Sequence, residues 1–131
     1  MSLNRIDHPD QQAGFLLIEV MVAILIFSIG ILAVVGLQAT MIKNSTDARY
    51  RAIASQVAEQ RIALMWANPA QAAAGVFLEQ EPGTDISQIL PGGRRVVSQP
   101  VANQFLVTVR WQQPGQDLHT FSTIAYVVGG I

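Results

Sequence analysis

The chain has 131 residues, of which 50% are hydrophobic and 13% are charged, and its formal net charge is −1. A chain of this length forms one modest domain by default, and its near-neutral charge offers no basic surface for nucleic acid. It contains no cysteine, which excludes a disulfide framework, a thiol nucleophile and a thiolate metal site.

The N-terminal third combines a polar leader with a long apolar run. Residues 1–14 are polar, contain a proline and lack periodicity, so we predict an unstructured leader. The run from Phe15 to Leu37 has a single ionisable side chain, Glu19, and forms a helix of about 35 Å, which is long enough to span a bilayer. A buried core helix is disfavoured because the rest of the chain is too short to cover it. A secretory signal is disfavoured because the apolar run is longer than that of a signal peptide. We therefore predict one membrane span.

Glu19 is the unusual residue of this span. A carboxylate inside a bilayer costs about 2.5–3.5 kcal/mol at the centre and less near the interface, so it is a functional-site hypothesis by default. The alternative is a tolerated residue close to the interface. The basic residues predict the opposite membrane orientation from that of an exported domain. Lys43, Arg49 and Arg51 follow the span, while only Arg5 precedes it, and this distribution favours a cytoplasmic C-terminal part.

The helix is predicted to continue from the span to about Ala67, because no helix breaker occurs before Asn68 and Pro69. In its second half, apolar residues recur at spacings of three and four, which predicts one apolar face that the rest of the chain must cover. The predicted face comprises Met41, Ile42, Ala48, Ala52, Ile53, Val57, Ile62, Met65 and Trp66.

The remaining residues, 69–131, predict a small globular part. Short helical turns are predicted at Ala70–Ala74 and Asp85–Leu90, the second capped by Thr84 or Asp85. Alternating apolar residues then predict a three-stranded antiparallel meander that covers the helix. Its strands are Arg94–Gln99, Phe105–Gln112 and Leu118–Val128. The predicted fold class is therefore α+β, a long N-terminal helix packed on a small antiparallel sheet.

The sequence has few candidate catalytic or metal-binding residues. The two histidines, His8 in the leader and His119 in a strand, have no neighbouring ligands at metal-binding spacing, and His119 is predicted to be an exposed strand residue. Gly92 and Gly93 predict a turn rather than a phosphate loop. We therefore expect no catalytic residue, no metal and no cofactor.

The segment "GFLLIEV", Gly14 to Val20, resembles the class III signal of type IV prepilins: a polar leader ending in glycine, then phenylalanine, then an apolar helix with glutamate as its fifth residue. The resemblance implies cleavage between Gly14 and Phe15 by a prepilin peptidase and N-methylation of Phe15. It also implies that Glu19 pairs with the N-terminal amine of a neighbouring subunit during assembly. The implied partners are the peptidase and other minor and major pilins, with storage in the inner membrane and the globular part in the periplasm.

Two further tracts, residues 28–38 and 67–77, resemble the minor pilins called type IV pilus modification proteins, or PilV. Gly36 stands where many major pilins have a helix-bending proline, and no cysteine pair closes a C-terminal loop. These features favour a minor pilin that takes part in pilus assembly. A minor pseudopilin of a type II secretion system, which has the same signal and helix, is the alternative. A single-pass membrane enzyme or sensor would need a group of catalytic or ligand-binding residues, and we find no such group in the sequence.

Overall fold

A computed structural model describes residues 9–128, with side chains from Ala13 onward. Helix α1 covers Pro9–Ala67, 59 residues, and confirms the predicted long helix. It begins at Pro9, a residue whose fixed φ suits the first helical turn, and no further proline interrupts it before Pro69. The unstructured leader predicted over residues 1–14 is therefore wrong for residues 9–14, and residues 1–8 lie outside the described part.

The structure divides into two units between Asn44 and Ser45. In the first unit every described side chain, from Ala13 to Asn44, is exposed to the surroundings. The second unit, called here the globular unit, contains all of the buried core. The described part has one helix, Ala13–Ala67, that is long and apolar enough to cross a membrane, and its most apolar window has no protein cover.

The long helix ends where the sequence predicts. Asn68 adopts non-helical angles, and Pro69 disfavours helical geometry in the residue before it. The Leu64 carbonyl accepts two hydrogen bonds at this end, one from the Asn68 backbone amide at 3.2 Å and one from the Asn68 side-chain amide nitrogen at 3.1 Å. Helix α2, Pro69–Ala73, follows and confirms the first predicted helical turn to within one residue.

Four strands, not three, form an antiparallel sheet in the order β1-β2-β3-β4. The strands are β1 Glu79–Asp85, β2 Arg94–Val101, β3 Gln104–Trp111 and β4 His119–Tyr126. The last three confirm the predicted meander. Strand β1 is not predicted, because its sequence "EQEPGTD" is rich in residues that are depleted in strands and its pairing with β2 is irregular.

The segment after β1 differs in detail from the prediction. Asp85 ends the strand, and its carboxylate accepts a hydrogen bond from the Ser87 amide at 2.8 Å, so it caps the segment as expected. The Ile86 carbonyl then accepts from Ile89 and Leu90 at 2.9 and 3.0 Å. These bonds close a single turn rather than a helix.

The core lies between the sheet and the last part of α1. Strand β3 alternates as predicted, with Phe105, Val107, Val109 and Trp111 buried. The predicted helix face is partly wrong, since several of its members are exposed: Met41, Ile42, Ala48, Ala52 and Trp66. The face that packs on the sheet instead comprises Tyr50, Ile53, Ala54, Val57, Ala58, Ile62 and Met65. Alanine carries little hydropathy signal, so sequence periodicity did not separate the buried alanines from the exposed ones.

Candidate functional site

The N-terminal segment Gly14–Glu19 lies on α1, and the structure brings its three predicted site residues onto one helix. Gly14 sits in open space, with no atom within 4 Å of a Cβ placed there. Phe15 is 71% exposed. Phe15 and Glu19 are four residues apart, so they share one helix face and are separated by one turn.

Glu19 has an exposed carboxylate in an apolar surrounding. Its flanking residues, Ile18 and Val20, are themselves exposed apolar side chains. Within the part of the chain that the structure describes, no cation pairs with Glu19. A membrane around this helix would therefore leave the carboxylate without a charged partner among the described residues.

The other polar side chain between Phe15 and Leu37 is satisfied locally. The Ser28 hydroxyl donates to the Ile24 carbonyl at 2.7 Å, one turn back on the same helix. Such back-bonding removes the cost of a hydroxyl in lipid, because both groups find partners within the helix. Glu19 differs from Ser28 because a carboxylate only accepts hydrogen bonds and backbone amides inside a helix are already used.

Gly30 leaves a shallow apolar notch on the same helix. The notch is lined by Phe27, Ile31 and Val34 among others, and a Cβ at Gly30 would meet nothing within 4 Å. Small residues on a membrane helix let a second helix approach closely. The notch therefore suits contact with another helix, although the sequence lacks the four-residue glycine spacing of a dimer motif.

A cluster of charges in the globular unit is not predicted by the sequence. Glu79 of β1 accepts from Arg95 Nε and Nη2 at 2.9 and 2.7 Å, and Arg61 Nη2 of α1 lies 2.7 Å from the same carboxylate. The three side chains are largely buried, with exposed fractions of 9% for Glu79 and 18% for each arginine. The cluster ties β1 to both β2 and α1, which is a structural role.

Arg61 is the most constrained member of this cluster. Its guanidinium carbon lies 5.0 Å from the centroid of the Phe77 ring, and Nη2 donates to the Phe77 carbonyl at 3.3 Å. Burial lowers the pKa of Arg61, while the negative charge of Glu79 opposes that shift. An arginine pKa lies far above neutrality, so Arg61 stays charged and requires the carboxylate.

The histidine prediction needs a correction. His119 is half-buried rather than exposed, because its ring stacks on Trp111 with centroids 5.4 Å apart and planes inclined by 16°. His8 lies outside the described residues. Among side chains from Ala13 to Val128, no group of three or more His, Cys, Asp or Glu residues is placed to hold a metal ion.

Comparison with known proteins bears on the N-terminal segment. A family model described as the prokaryotic N-terminal methylation motif matches residues 10–35, which include Gly14, Phe15 and Glu19. Comparison of the chain with curated proteins and with solved structures found no significant match. The α+β architecture, a long apolar helix packed on an antiparallel sheet, is consistent with the type IV pilin fold. The match therefore makes the N-terminal segment similar to that of type IV prepilins, the precursors of pilins and pseudopilins.

Proposed function

We propose that the chain is a minor pilin of the type IV pilus, resembling PilV, with no catalytic activity of its own. The observation that carries the proposal is the unpaired Glu19 within an apolar helix that matches the N-terminal methylation motif. The protein is stored in the inner membrane with its globular unit in the periplasm. Other minor and major pilins are its partners in assembly.

Processing begins with hydrolysis of the peptide bond between Gly14 and Phe15 by a prepilin peptidase. The reaction leaves a carboxylate on Gly14 and a free amine on Phe15, which is then N-methylated. Because the precursor is helical from Pro9, the bond must leave the helix before a peptidase can reach it. Gly14 favours this opening, since glycine in a helix costs about 1 kcal/mol relative to alanine.

Cleavage gives Glu19 the cation that it lacks. The new amine stands at the start of a helix, where the helix dipole disfavours positive charge, so a nearby carboxylate is stabilising. In the proposed assembly, Glu19 of one subunit pairs with the Phe15 amine of its neighbour as the spans leave the bilayer. Two charges that are costly in lipid then form one pair within the helix bundle, which fixes the axial register of the subunits.

Substitution of Glu19 tests this function. Glu19→Ala should leave membrane insertion unchanged, because the span becomes more apolar, but should reduce the amount of subunit in sheared pili at least tenfold. The matched control is Ser28→Ala, which removes the other polar side chain of the same span and should be incorporated normally. Immunoblots of membrane and pilus fractions measure both. Equal incorporation of the two variants would contradict the proposed pairing.

The alternative is a minor pseudopilin of a type II secretion system, which carries the same kind of motif. The two functions differ in where the processed chain is found and in what its loss impairs. A pilus subunit appears in the sheared surface fraction, and its deletion reduces the number of pili. A pseudopilin is absent from that fraction, and its deletion blocks protein export while pili remain.

A further inference from the structure

The two edge strands of the sheet differ in how they are protected. Strand β1 has a proline at position 82, irregular pairing with β2 and three carboxylates. Proline, irregular pairing and charged side chains are features that prevent an edge strand from pairing with other chains. Strand β4, "HTFSTIAY", has none of them, because it lacks proline, lysine, arginine and carboxylates and pairs with β3 in one unbroken register.

The backbone of β4 leaves hydrogen-bonding groups open. The Val127 amide donates to the Asn103 carbonyl at 2.9 Å, so alternation along an antiparallel pair turns the amides of Thr120, Ser122 and Ile124 away from β3. No strand lies on that side of β4 in the described sheet. The Tyr126 carbonyl is taken by Trp66 Nε1 at 3.1 Å, which marks one end of the open stretch.

A groove of about 490 Å³ runs beside this edge, between β4 and α1. Its lining is Glu59, Ile62, Ala63 and Trp66 of α1 with residues 123–125 of β4. Trp66 is 60% exposed although it is large and aromatic. A strand added to β4 would turn every second side chain into this groove, since successive side chains of a strand point to opposite faces.

The negative charge of Glu59 favours a positively charged side chain in any segment that binds in this groove. Glu59 is the only ionisable side chain among the lining residues, and its carboxylate accepts one hydrogen bond, from Ser55 at 3.0 Å. No cation pairs with it within the described residues. A second copy is a poor occupant, because β4 carries no lysine or arginine and β1 is acidic and contains proline.

We propose that the β4 edge binds an extended segment of a partner protein as a fifth strand, with apolar or β-branched side chains in the groove and a lysine or arginine opposite Glu59. Backbone hydrogen bonds to Thr120, Ser122 and Ile124 hold the segment, and the groove and Glu59 select it. The inference concerns the globular unit alone and does not require that the chain enter a pilus.

Peptide binding to the full-length chain in detergent micelles tests this proposal. The probes are nine-residue peptides of alternating valine and threonine with a lysine at one end, made in both orientations. The chain has two tryptophans, and Trp111 is buried, so a change in emission reports on Trp66. A saturable blue shift is expected with at least one orientation, and protection of the Ser122 and Ile124 amides from hydrogen exchange should accompany it.

Control peptides distinguish strand addition from nonspecific hydrophobic binding. N-methylation of alternate peptide amides on the bonding edge should weaken binding at least tenfold, because it removes the donors that a strand needs. Replacing the lysine by glutamate should weaken binding several-fold. Equal binding of the N-methylated peptide, or the lack of any emission shift with both orientations, would overturn the proposal.

Variants of the protein locate the site. Glu59→Lys should reverse the preference, so that the glutamate peptide binds better than the lysine peptide, whereas Gln60→Lys, an exposed neighbour on the same helix, should leave it unchanged. Ser122→Pro should abolish binding while Ser122→Ala retains it, with folding checked by circular dichroism. An unchanged preference in Glu59→Lys would overturn the charge assignment, and an emission shift that follows protein concentration without peptide would show self-pairing instead.

Discussion

Two carboxylates, Glu19 and Glu79, are both in unusual surroundings, but only one of them can be recognised from the sequence. Glu19 interrupts an apolar run, so its cost in a membrane is evident without coordinates. Glu79 lies in a polar stretch, and its burial depends on Arg61 and Arg95, which are distant in sequence. The sequence therefore does not distinguish Glu79 from other surface carboxylates, and only the fold shows that it is paired and buried.

Removal of the Glu79 charge should destabilise the globular unit. Glu79→Gln leaves two largely buried arginines without a carboxylate, and because some exposure remains we expect a loss of about 2–3 kcal/mol, below the full cost of breaking a buried pair. Glu81→Gln is the control: Glu81 pairs with Arg110 but is exposed, so the loss should be about 0–1 kcal/mol. Chemical unfolding of the full chain in mild detergent measures both, and equal losses would contradict the structural role of the cluster.

Asp85 should titrate below the usual range of an aspartate. The Ser87 hydroxyl and the Ser87 amide both donate to its carboxylate and lower its pKa, and Arg94 adds to the shift. A lowered pKa in the folded state means that the contribution to stability is complete above the usual value of about 4 and is lost as the pH falls through the lowered pKa.

Substitution of Ser87 tests the cause of this shift. In Ser87→Ala the hydroxyl is lost but the backbone bond of 2.8 Å remains, so the pKa of Asp85 should rise without reaching the ordinary value. Carboxyl chemical shifts followed by NMR across acid pH give the pKa in both proteins. Identical values would show that the hydroxyl has no part in the shift.

At the scale of elements, the central strand is the part that the sequence describes best. Strand β3 buries alternate residues against α1, and Phe105 and Leu106 point to opposite faces of the sheet. Phe105→Ala should cost about 3–5 kcal/mol because it opens a cavity in the core. Leu106→Ala, which changes a half-buried side chain on the outer face, should cost about 1 kcal/mol. Thermal unfolding compares the two, and similar losses would mean that the strand register is wrong.

Sequence periodicity predicts the second half of α1 and strands β2 to β4, whereas the first half of α1 is predicted from its unbroken apolar run. Periodicity fails for β1, whose residues are poor strand formers and whose Glu79 is held by Arg95 of β2 and Arg61 of α1. Gly83 of β1 has a φ of 86°, and a Cβ there would lie 2.5 Å from the Arg95 carbonyl oxygen. Such close approach between backbones is visible only in three dimensions.

For the candidate site, the sequence supplies Gly14, Phe15 and Glu19 directly, because the motif is contiguous and lies on one helix. It does not supply the helical conformation of residues 9–14, nor the groove beside β4. The groove is formed by Trp66 and Ile124, which periodicity assigns to separate elements and which meet only when the sheet packs on α1.

At the scale of the whole molecule, the buried core belongs entirely to the globular unit. Deletion of residues 1–37 removes no member of this core, so the remaining fragment should be soluble and folded. Far-UV circular dichroism should show both helix and sheet, with a cooperative thermal transition. A fragment without that transition would mean that the apolar helix is needed for folding of the globular unit.

We propose that this chain is a prepilin, and the mass of its mature N-terminus provides the decisive test. The protein is purified from membranes of a host with an active prepilin peptidase, and its N-terminal peptide is sequenced by tandem mass spectrometry. We expect the mature chain to begin at Phe15 and to carry a methyl group on the Phe15 amine. A chain that keeps the Met1 terminus in such a host, or that is cleaved elsewhere, would contradict it.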